Sequence, residues 1–331
     1  MHSSVRFALT CACTFLSTLL SVNITAQPNP AVSYPTKPIK IIVPYAPGGT
    51  SDILARLLGQ KFTEAWGQTV LVENKPGANG NIGADFVAKV APDGCTLLLA
   101  DIGTLAISPS VYPAVPFDPV KDFAPVSMVA YSPHILVVHP SVKANTVKEL
   151  IEYAKANQGK MNYATSGVGG ANHLAGVEFA NRTGVQWVYV PYKGGAQAIA
   201  DVAGGQANVM LNGMLATYPH VKSGNLKIIA VSGATRMASI PDVPTVAESG
   251  VPGFETGSWQ GVLAPAGTPA DIVMKLNAEL ARILTSADMK EKLLVQGAEA
   301  RSGSPESFGG FISKEKERWA KVVKGAGIKI E

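Results

Sequence analysis

Cysteine is scarce in this sequence. It has three cysteines in 331 residues, and two of them, Cys11 and Cys13, lie in an apolar stretch at the amino terminus. Only Cys95 remains beyond that stretch, which excludes a disulfide framework within one processed chain. Cys95 stands in an apolar segment, residues 95–100, and this setting predicts a buried small hydrophobic side chain rather than a nucleophile.

Charged residues are few, and their signs nearly balance. There are 28 lysines and arginines against 24 aspartates and glutamates, the net charge is +4, and no basic run occurs. This pattern argues against nucleic acid as a partner. The histidines beyond the amino-terminal stretch are His134, His139, His173 and His220, and none has a metal-ligand spacing, so no metal is expected. His134 and His139 are interpreted as structural, whereas His173 follows a glycine-rich turn and is a candidate for a cleft.

Several enzyme motifs are absent. A nucleophile elbow needs glycine two residues before and after the serine, but Ser166 has Ala164 and Val168 at those positions. The glycine-rich residues 167–172 end in asparagine, which breaks the dinucleotide fingerprint, and no phosphate-binding loop follows any glycine run. These absences predict a protein that is not an enzyme and has no cofactor.

A long apolar run occurs only at the amino terminus. Residues 8–22 are apolar or small, Arg6 precedes them, and Ala26 ends a candidate cleavage site. The run predicts a signal peptide over residues 1–26, and hence an exported, soluble protein. Ile24 is larger than the residue usual at the third position before the cut, so the exact cleavage site stays open. Lipid attachment at Cys11 or Cys13 is disfavoured because both lie inside the apolar core.

The stretch 39–52 predicts a strand, a tight turn and the start of a helix. Residues 39–43 (Ile-Lys-Ile-Ile-Val) are a short β-branched run that a proline closes. From Asp52 onward the apolar residues follow a helical period, and the preceding Thr-Ser-Asp sequence supplies capping side chains. Gly48 and Gly49 would let a ligand approach N–H groups at the positive end of this helix. The turn is a candidate carboxylate cradle, the alternative being an ordinary strand-to-helix turn.

A second turn repeats the order of the first. Residues 190–195 (Val-Pro-Tyr-Lys-Gly-Gly) follow an apolar run, as residues 43–49 do, and a third small-residue turn spans 164–170. Ligands of open α/β sheets bind outside the carboxyl ends of the strands. Two such edges facing each other predict a clamp, in which Tyr45 and Tyr192 are candidates for flanking walls.

Strand and helix patterns alternate along most of the chain. The pattern over residues 39–100 predicts a strand, a helix, a strand, a helix and a strand in that order, which is typical of parallel βαβ units. A strand at 135–138 and a proline-rich stretch at 241–257 are interpreted as crossings between two lobes. The sequence therefore predicts an α/β fold of two lobes, each a mainly parallel sheet flanked by helices, with the ligand cleft between them. Lobe 1 is predicted to comprise residues 34–131 and 251–331, and lobe 2 residues 132–250.

Several motifs resemble those of one protein family. They include residues 43–52 (Val-Pro-Tyr-Ala-Pro-Gly-Gly-Thr-Ser-Asp), 72–78 (Val-Glu-Asn-Lys-Pro-Gly-Ala) and 263–269 (Leu-Ala-Pro-Ala-Gly-Thr-Pro). Over essentially the whole chain past the signal peptide, the sequence resembles the periplasmic solute receptors of tripartite tricarboxylate transport systems, the TctC or Bug family. The resemblance implies a type II-like, monomeric binding protein that captures a small carboxylate by closing its two lobes. It also implies delivery of that ligand to the membrane components of a tripartite transporter.

The candidate ligand-binding residues come from strand ends in both predicted lobes. They are Tyr45, Ala46, Pro47, Gly48, Gly49, Asp52, Asn79, Gly80, Asp101, Ser166, Gly167, Gly169, His173, Tyr192, Lys193, Gly194 and Asn212. Asn212 stands where some family members have aspartate, which disfavours an ammonium-bearing ligand and favours a dicarboxylate or an aromatic carboxylate. Two other functions stay open: an exported hydrolase that uses Ser166 and His173, and a sensor that presents its solute to a signalling ectodomain.

Overall fold

The computed structural model describes residues 34–295 and 297–326. The predicted signal peptide, residues 1–26, lies outside the described residues. Within the described ranges, no helix is long and apolar enough to cross a membrane.

Strands and helices alternate along the described chain, as the sequence pattern predicts. The strands are β1 (Ile39–Val43), β2 (Val70–Asn74), β3 (Thr96–Asp101), β4 (Phe123–Val138), β5 (Asn162–Thr165), β6 (Val188–Pro191), β7 (Val209–Gly213), β8 (Lys227–Val231), β9 (Gly257–Pro265) and β10 (Glu299–Ala300). The helices are α1 (Thr50–Trp66), α2 (Asn81–Ala88), α3 (Ser108–Val111), α4 (Val147–Ala156), α5 (Ala171–Thr183), α6 (Gly195–Ala203), α7 (Met214–Lys222), α8 (Ala270–Thr285), α9 (Ala287–Val295) and α10 (Pro305–Ala326).

The described strands form one sheet that contains two parallel regions. β2, β1 and β3 are parallel neighbours, and so are β7, β5 and β6. β9 runs antiparallel between β3 and β4, and β4 is antiparallel to β7 and β8 as well. The parallel pairs of both regions agree with the prediction of mainly parallel sheets, and the crossing strands add antiparallel pairs that it did not specify. The reason is that a strand leaving the first region and a strand returning to it must point in opposite directions.

β4 is the longest strand and joins the two regions. Its residues 123–133 pair with β9, whereas residues 134–138 pair with β7 and β8. The sequence pattern predicts only residues 135–138 as strand. That prediction is too short because prolines interrupt the alternation. Pro125 lies where the β4–β9 register shifts, a position at which its missing N–H is tolerated.

Two helix starts show where local capping signals succeed and fail. Thr146 caps α4: its hydroxyl accepts the Glu149 N–H at 3.1 Å, and Glu149 Oε2 accepts the Asn145 N–H at 2.6 Å. In contrast, α1 begins at Thr50 with Gly49 as its N-cap and without a side-chain cap. The predicted capping by the Thr-Ser-Asp side chains is wrong, because those residues already belong to the first helical turn.

Alternate strand residues pack into cores on opposite faces of the sheet. Ile41 and Ile42 of β1 belong to different core clusters, and Ile135 and Leu136 of β4 are divided in the same way. Cys95 is buried in the cluster that contains Ile41, as its apolar setting predicts. Because helices and apolar cores cover the faces, the strand ends are the places left for polar residues.

Candidate functional site

A cavity lies where the carboxyl ends of parallel strands from both regions meet. Tyr45 follows β1, Asp101 ends β3, Ser166 follows β5 and Asn212 lies near the end of β7. The cavity has a volume of about 50 Å³. These residues are far apart in the chain, and the continuous sheet brings them together. The structure therefore groups strand ends at one place, as the rule for open α/β sheets predicts.

Four helices begin at this cavity, and glycine is the N-cap of each. The caps are Gly49 of α1, Gly170 of α5, Gly194 of α6 and Gly213 of α7, and none provides a side-chain hydrogen bond to the helix. The first N–H groups of a helix have no partner within it, and the helix dipole makes that end positive. Of the described residues, those that line the cavity include neither lysine nor arginine. The main chain is thus the source of positive potential.

Tyr45 and Asp101 form a hydrogen-bonded pair at one side of the cavity. The Tyr45 hydroxyl donates to Asp101 Oδ1 and lies 2.6 Å from Thr104 Oγ1, which donates to the Asn79 carbonyl at 2.9 Å. Burial, and then the Asp101 carboxylate, raise the pKa of Tyr45 well above its ordinary value. Burial also raises the pKa of Asp101, although hydrogen bonds from Tyr45 and the Gly103 N–H oppose this shift. Tyr45 therefore stays protonated and fixes the orientation of Asp101.

Asp52 braces the first turn and does not line the cavity. Its carboxylate accepts hydrogen bonds from the Gly48 N–H at 2.9 Å, from Arg56 Nε at 3.0 Å and Nη2 at 2.9 Å, and from Asn74 Nδ2 at 2.9 Å. Asn74 Nδ2 also donates to the Tyr45 carbonyl at 3.0 Å. Burial alone would raise the pKa of Asp52, but the hydrogen bonds from Arg56, Gly48 and Asn74 outweigh it and lower that pKa. Asp52 therefore ties both ends of the turn to α1 and β2.

Asn172 links the polar residues on the opposite side of the cavity. Its Oδ1 accepts hydrogen bonds from Ser166 Oγ at 2.9 Å and Ser166 N at 3.2 Å, and its Nδ2 donates to Asn212 Oδ1 at 3.4 Å. Asn212 Nδ2 donates in turn to Thr217 Oγ1 at 2.9 Å. Sequence reasoning missed Asn172, although a signal was available: it lies in the first turn of the helix that follows the 164–170 turn.

His173 lies behind the glycine turn rather than beside Ser166. Its Nδ1 accepts the Gly169 N–H at 3.1 Å, and its ring packs edge-on against Tyr189. Burial lowers the pKa of His173 to about 4. The hydroxyl of Ser166 donates to Asn172, and Ser166 and His173 share no hydrogen bond in the part of the chain that the structure describes. The pair thus lacks the nucleophile–base contact that the hydrolase hypothesis requires.

Acid is expected to destabilise the protein partly through His173. The folded state keeps this residue neutral, whereas the unfolded chain binds a proton near pH 6.5. Its contribution to stability is therefore fully present above pH 6.5 and is lost as the pH falls toward 4. Between pH 7 and pH 5 the loss is about 2 kcal/mol. We expect urea unfolding at pH 7 and pH 5 to show that the free energy of unfolding falls by about 2 kcal/mol less in His173→Asn than in the native protein. An equal fall in both proteins would contradict this role of His173.

The structure places the predicted site residues in three groups. Those that line the cavity are Tyr45, Gly49, Asn79, Asp101, Ser166 and Asn212. Three of these residues, Tyr45, Asn79 and Ser166, also line an adjoining opening of about 200 Å³. The other predicted residues that line this opening are Gly80, Gly167, Tyr192 and Lys193. The others line neither space and lie in the supporting turns or in the first turns of α1 and α5: Ala46, Pro47, Gly48, Asp52, Gly169, His173 and Gly194.

Sequence reasoning missed the cavity residues that come from the crossing strands. His134 of β4 lines the cavity; its Nδ1 lies 3.2 Å from Thr256 Oγ1, and burial lowers its pKa to about 4. Ser258 and Gln260 of β9 line it as well. No local pattern distinguishes these residues, because the alternation in β9 indicates only a strand. The other missed residues lie in or beside turns and strand ends that the sequence does single out: Thr50, Ser51, Gly170, Ala171, Gly195 and Gly213.

The two repeated turns touch each other beside the cavity. A Cβ atom added to Gly194 would lie 3.0 Å from Ala46 N and 3.1 Å from Ala46 Cβ. Gly194 has an extended backbone with φ of 165°, so any residue could adopt its conformation. What requires glycine here is the close approach of Ala46, because any side chain would separate the turns.

The chain matches known proteins along most of its length. The family model described as Tripartite tricarboxylate transporter family receptor, TctC, matches residues 54–328. Protein BugT of Bordetella pertussis is 39% identical over 307 residues, which are 92% of this chain and 94% of that protein. The Rpa4515 protein of R. palustris, solved with adipate, has a TM-score of 0.88 and 38% identity. The match covers 90% of this chain and 100% of the Rpa4515 chain. MatC of Rhodopseudomonas palustris, solved with bound malate, has a TM-score of 0.83 and 31% identity. That match covers 88% of this chain and 100% of the MatC chain.

These similarities confirm the predicted family and the α/β periplasmic binding protein fold. The matching family is one of binding proteins and not of enzymes, which removes the hydrolase hypothesis. The chain belongs to the tripartite tricarboxylate transporter receptor family, TctC, whose members are periplasmic solute-binding proteins.

Proposed function

We propose that this protein captures a small carboxylate, either a dicarboxylate or an aromatic carboxylate, in the cavity between its repeated turns. The observation that supports this proposal is the convergence of four glycine-capped helix starts on one cavity lined by no described basic side chain. N–H groups at helix starts bind carboxylates without a cationic partner. The relatives solved with adipate and with malate hold carboxylates, which agrees with this chemistry.

The adjoining opening extends the space for a ligand. The cavity itself, about 50 Å³, accommodates one carboxylate group rather than a whole organic acid, whose pockets are usually several hundred Å³. The opening adds about 200 Å³ and carries Tyr192 and the exposed Lys193. A second carboxylate of the same ligand would meet the Lys193 ammonium there, which favours a dicarboxylate.

We also propose that ligand binding closes two lobes. Lobe 1 comprises residues 34–131 and 251–331, lobe 2 comprises residues 132–250, and β4 and β9 carry the connections between them. Ala46 and Gly194, which approach each other closely in the structure, would then lie on opposite lobes. The proposal assigns their contact to the closed form. The measured affinity includes the cost of closure, because only the closed fraction holds the ligand on both sides.

In the cell, we propose that the chain is exported, cleaved near Ala26, and acts in the periplasm as a monomer. It would deliver its carboxylate to the membrane components of a tripartite tricarboxylate transporter. Presentation of the ligand to a signalling ectodomain is the second candidate role, since it uses the same closed form. Uptake of the radiolabelled carboxylate by a strain that lacks this receptor separates the two: loss of uptake supports transport, and unchanged uptake with lost gene induction supports signalling.

A thermal-shift screen tests the proposed ligand class. A ligand that binds only the folded state raises the unfolding midpoint in proportion to the logarithm of its concentration. We expect shifts with one or more of malate, succinate, adipate and benzoate, and none with the corresponding amides. Sugars and cationic amines serve as controls. A shift with those controls and none with any carboxylate would overturn the proposal.

Replacing Thr50 by proline is expected to weaken carboxylate binding about tenfold, through the loss of one N–H donor to a charged acceptor. Helix α1 should persist, because proline is favoured at the first helical position and the extended Gly49 suits the residue before proline. Thr50→Ala is the control: it loses the same side chain, keeps the N–H, and should bind within about twofold of the native protein. Calorimetric titration of both variants with malate and succinate measures the difference, and equal affinities would contradict main-chain recognition.

A further inference from the structure

One side of the cavity carries a hydrogen-bond acceptor that has no donor. Gln260 is 1% exposed, lines the cavity, and donates from Nε2 to Ser258 Oγ at 2.9 Å. This hydrogen bond fixes the orientation of the amide. The other amide atom, Gln260 Oε1, is buried and has no hydrogen-bond partner among the described residues. A buried carbonyl oxygen without a donor is destabilising, so a group that enters the cavity is expected to supply one.

A second acceptor lies directly beside the first. Asp101 of β3 and Gln260 of β9 are paired across the antiparallel ladder, which puts their side chains on the same face a few ångströms apart. Asp101 Oδ1 accepts hydrogen bonds from the Tyr45 hydroxyl, the Gly103 N–H and the Thr104 N–H. No donor among the described residues reaches Asp101 Oδ2. The β3–β9 side of the cavity is therefore a pair of acceptors, opposite in character to the helix starts.

The two sides of the cavity therefore set two chemical requirements for a ligand. The helix starts require an anion, and the β3–β9 side requires a hydrogen-bond donor close to that anion. An unsubstituted dicarboxylate meets only the first requirement. An ammonium group would also donate, and the Asp101 carboxylate would attract it, but the positive ends of the four helices around the cavity oppose its charge. A hydroxyl donates without charge.

On the basis of the function proposed above, we propose that the ligand is a hydroxy-carboxylate and that Gln260 Oε1 accepts its hydroxyl, with Asp101 as the neighbouring acceptor. The carboxylate next to the hydroxyl lies against the helix starts. Gln260 is then the residue that distinguishes hydroxylated from unsubstituted acids. Its position on a crossing strand makes it a specificity residue outside the repeated turns.

Matched acids test this assignment by calorimetric titration of the native protein. The pairs are malate with succinate, 2-hydroxyglutarate with glutarate, and mandelate with phenylacetate. In each pair that binds, the hydroxylated acid should bind about tenfold more tightly, because the other acid leaves Gln260 Oε1 without a donor. In Gln260→Leu the ratio should fall below about threefold, because the acceptor is gone. Thermal unfolding checks that Gln260→Leu is folded. If it is not, the affinity ratios measured on the native protein still test whether the site prefers hydroxylated acids.

Several outcomes would overturn the assignment. Equal affinities within every pair would mean that water satisfies Gln260, and carboxylate capture would still stand because both acids bind. Tighter binding of aspartate or glutamate than of the hydroxy acids would assign the acceptors to an ammonium group. A native ratio retained in Gln260→Leu would exclude Gln260 as the acceptor. Failure of every acid to bind at millimolar concentration would overturn the proposed function together with this inference.

Discussion

Gly194→Val is expected to weaken carboxylate binding about a hundredfold, equal to about 2.7 kcal/mol, while leaving the fold intact. The extended backbone at residue 194 accepts valine without strain, so each sheet region should fold as before. The penalty falls on the contact between the repeated turns, where even a Cβ atom would lie 3.0 Å from Ala46 N. Overpacking of this kind costs about 1–3 kcal/mol. Under the lobe closure proposed above, this cost applies to the closed form alone.

Two further variants make the Gly194 experiment specific. Gly194→Ala should give an intermediate loss, since Ala46 needs to move by only a few tenths of an ångström. Gly310→Ala in helix α10 is the control, because a Cβ atom there meets nothing within 4 Å, and it should bind as the native protein does. Titration of all three with the same carboxylate gives the comparison. A valine variant whose affinity stays within threefold of the native value would show that the turns need not touch.

Asp52→Ala is expected to lower the free energy of unfolding by about 3 kcal/mol, the range found when a buried hydrogen-bonded charge network is broken. The variant leaves the Gly48 N–H, the Asn74 amide and the Arg56 guanidinium without their shared acceptor. Because Asn74 Nδ2 also donates to the Tyr45 carbonyl, the first turn should become less ordered as well. Carboxylate binding is therefore expected to weaken, although Asp52 itself does not line the cavity.

Asp288→Ala is the matched control for Asp52→Ala. Asp288 also lies in the first turn of a helix, α9, and pairs with a basic residue four positions on, Lys292. Both partners of this pair are exposed, whereas the Asp52 carboxylate is buried although its partner Arg56 is exposed. Pairs between two exposed side chains contribute little to stability. Urea unfolding should show a large loss for Asp52→Ala and almost none for Asp288→Ala. Equal losses would mean that burial of Asp52 is not what makes its network important.

Local signals predicted the parts of the fold and site that lie along one stretch of chain. The β1 strand and helix α1 were predictable because apolar periodicity changes from strand to helix around Pro44. Tyr45, Asp101 and Ser166 were predictable because each stands at or just past a strand end. Helix α7 gave no clear signal because Pro219 lies inside it.

Tertiary relations could not be read from the sequence. Gln260 enters the cavity because β9 pairs with β3 in a register that sets it opposite Asp101, and such register is a property of the assembled sheet. For Asp52 the sequence favours stabilisation of its own turn over contact with a ligand, and the hydrogen bond from the Gly48 N–H agrees with that preference. The bond from Asn74, which comes from the neighbouring strand β2, could not be predicted from the local sequence.

The position of a bound carboxylate is the most direct test of the central claim, that helix starts hold the anion. We would determine the crystal structure of the protein with the acid that gives the largest thermal shift. We expect carboxylate oxygens within hydrogen-bond distance of N–H groups at the start of α1 and of one or more of α5, α6 and α7. A carboxylate bound instead by basic side chains, or away from the cavity that Gly49, Gly170 and Gly213 line, would contradict it.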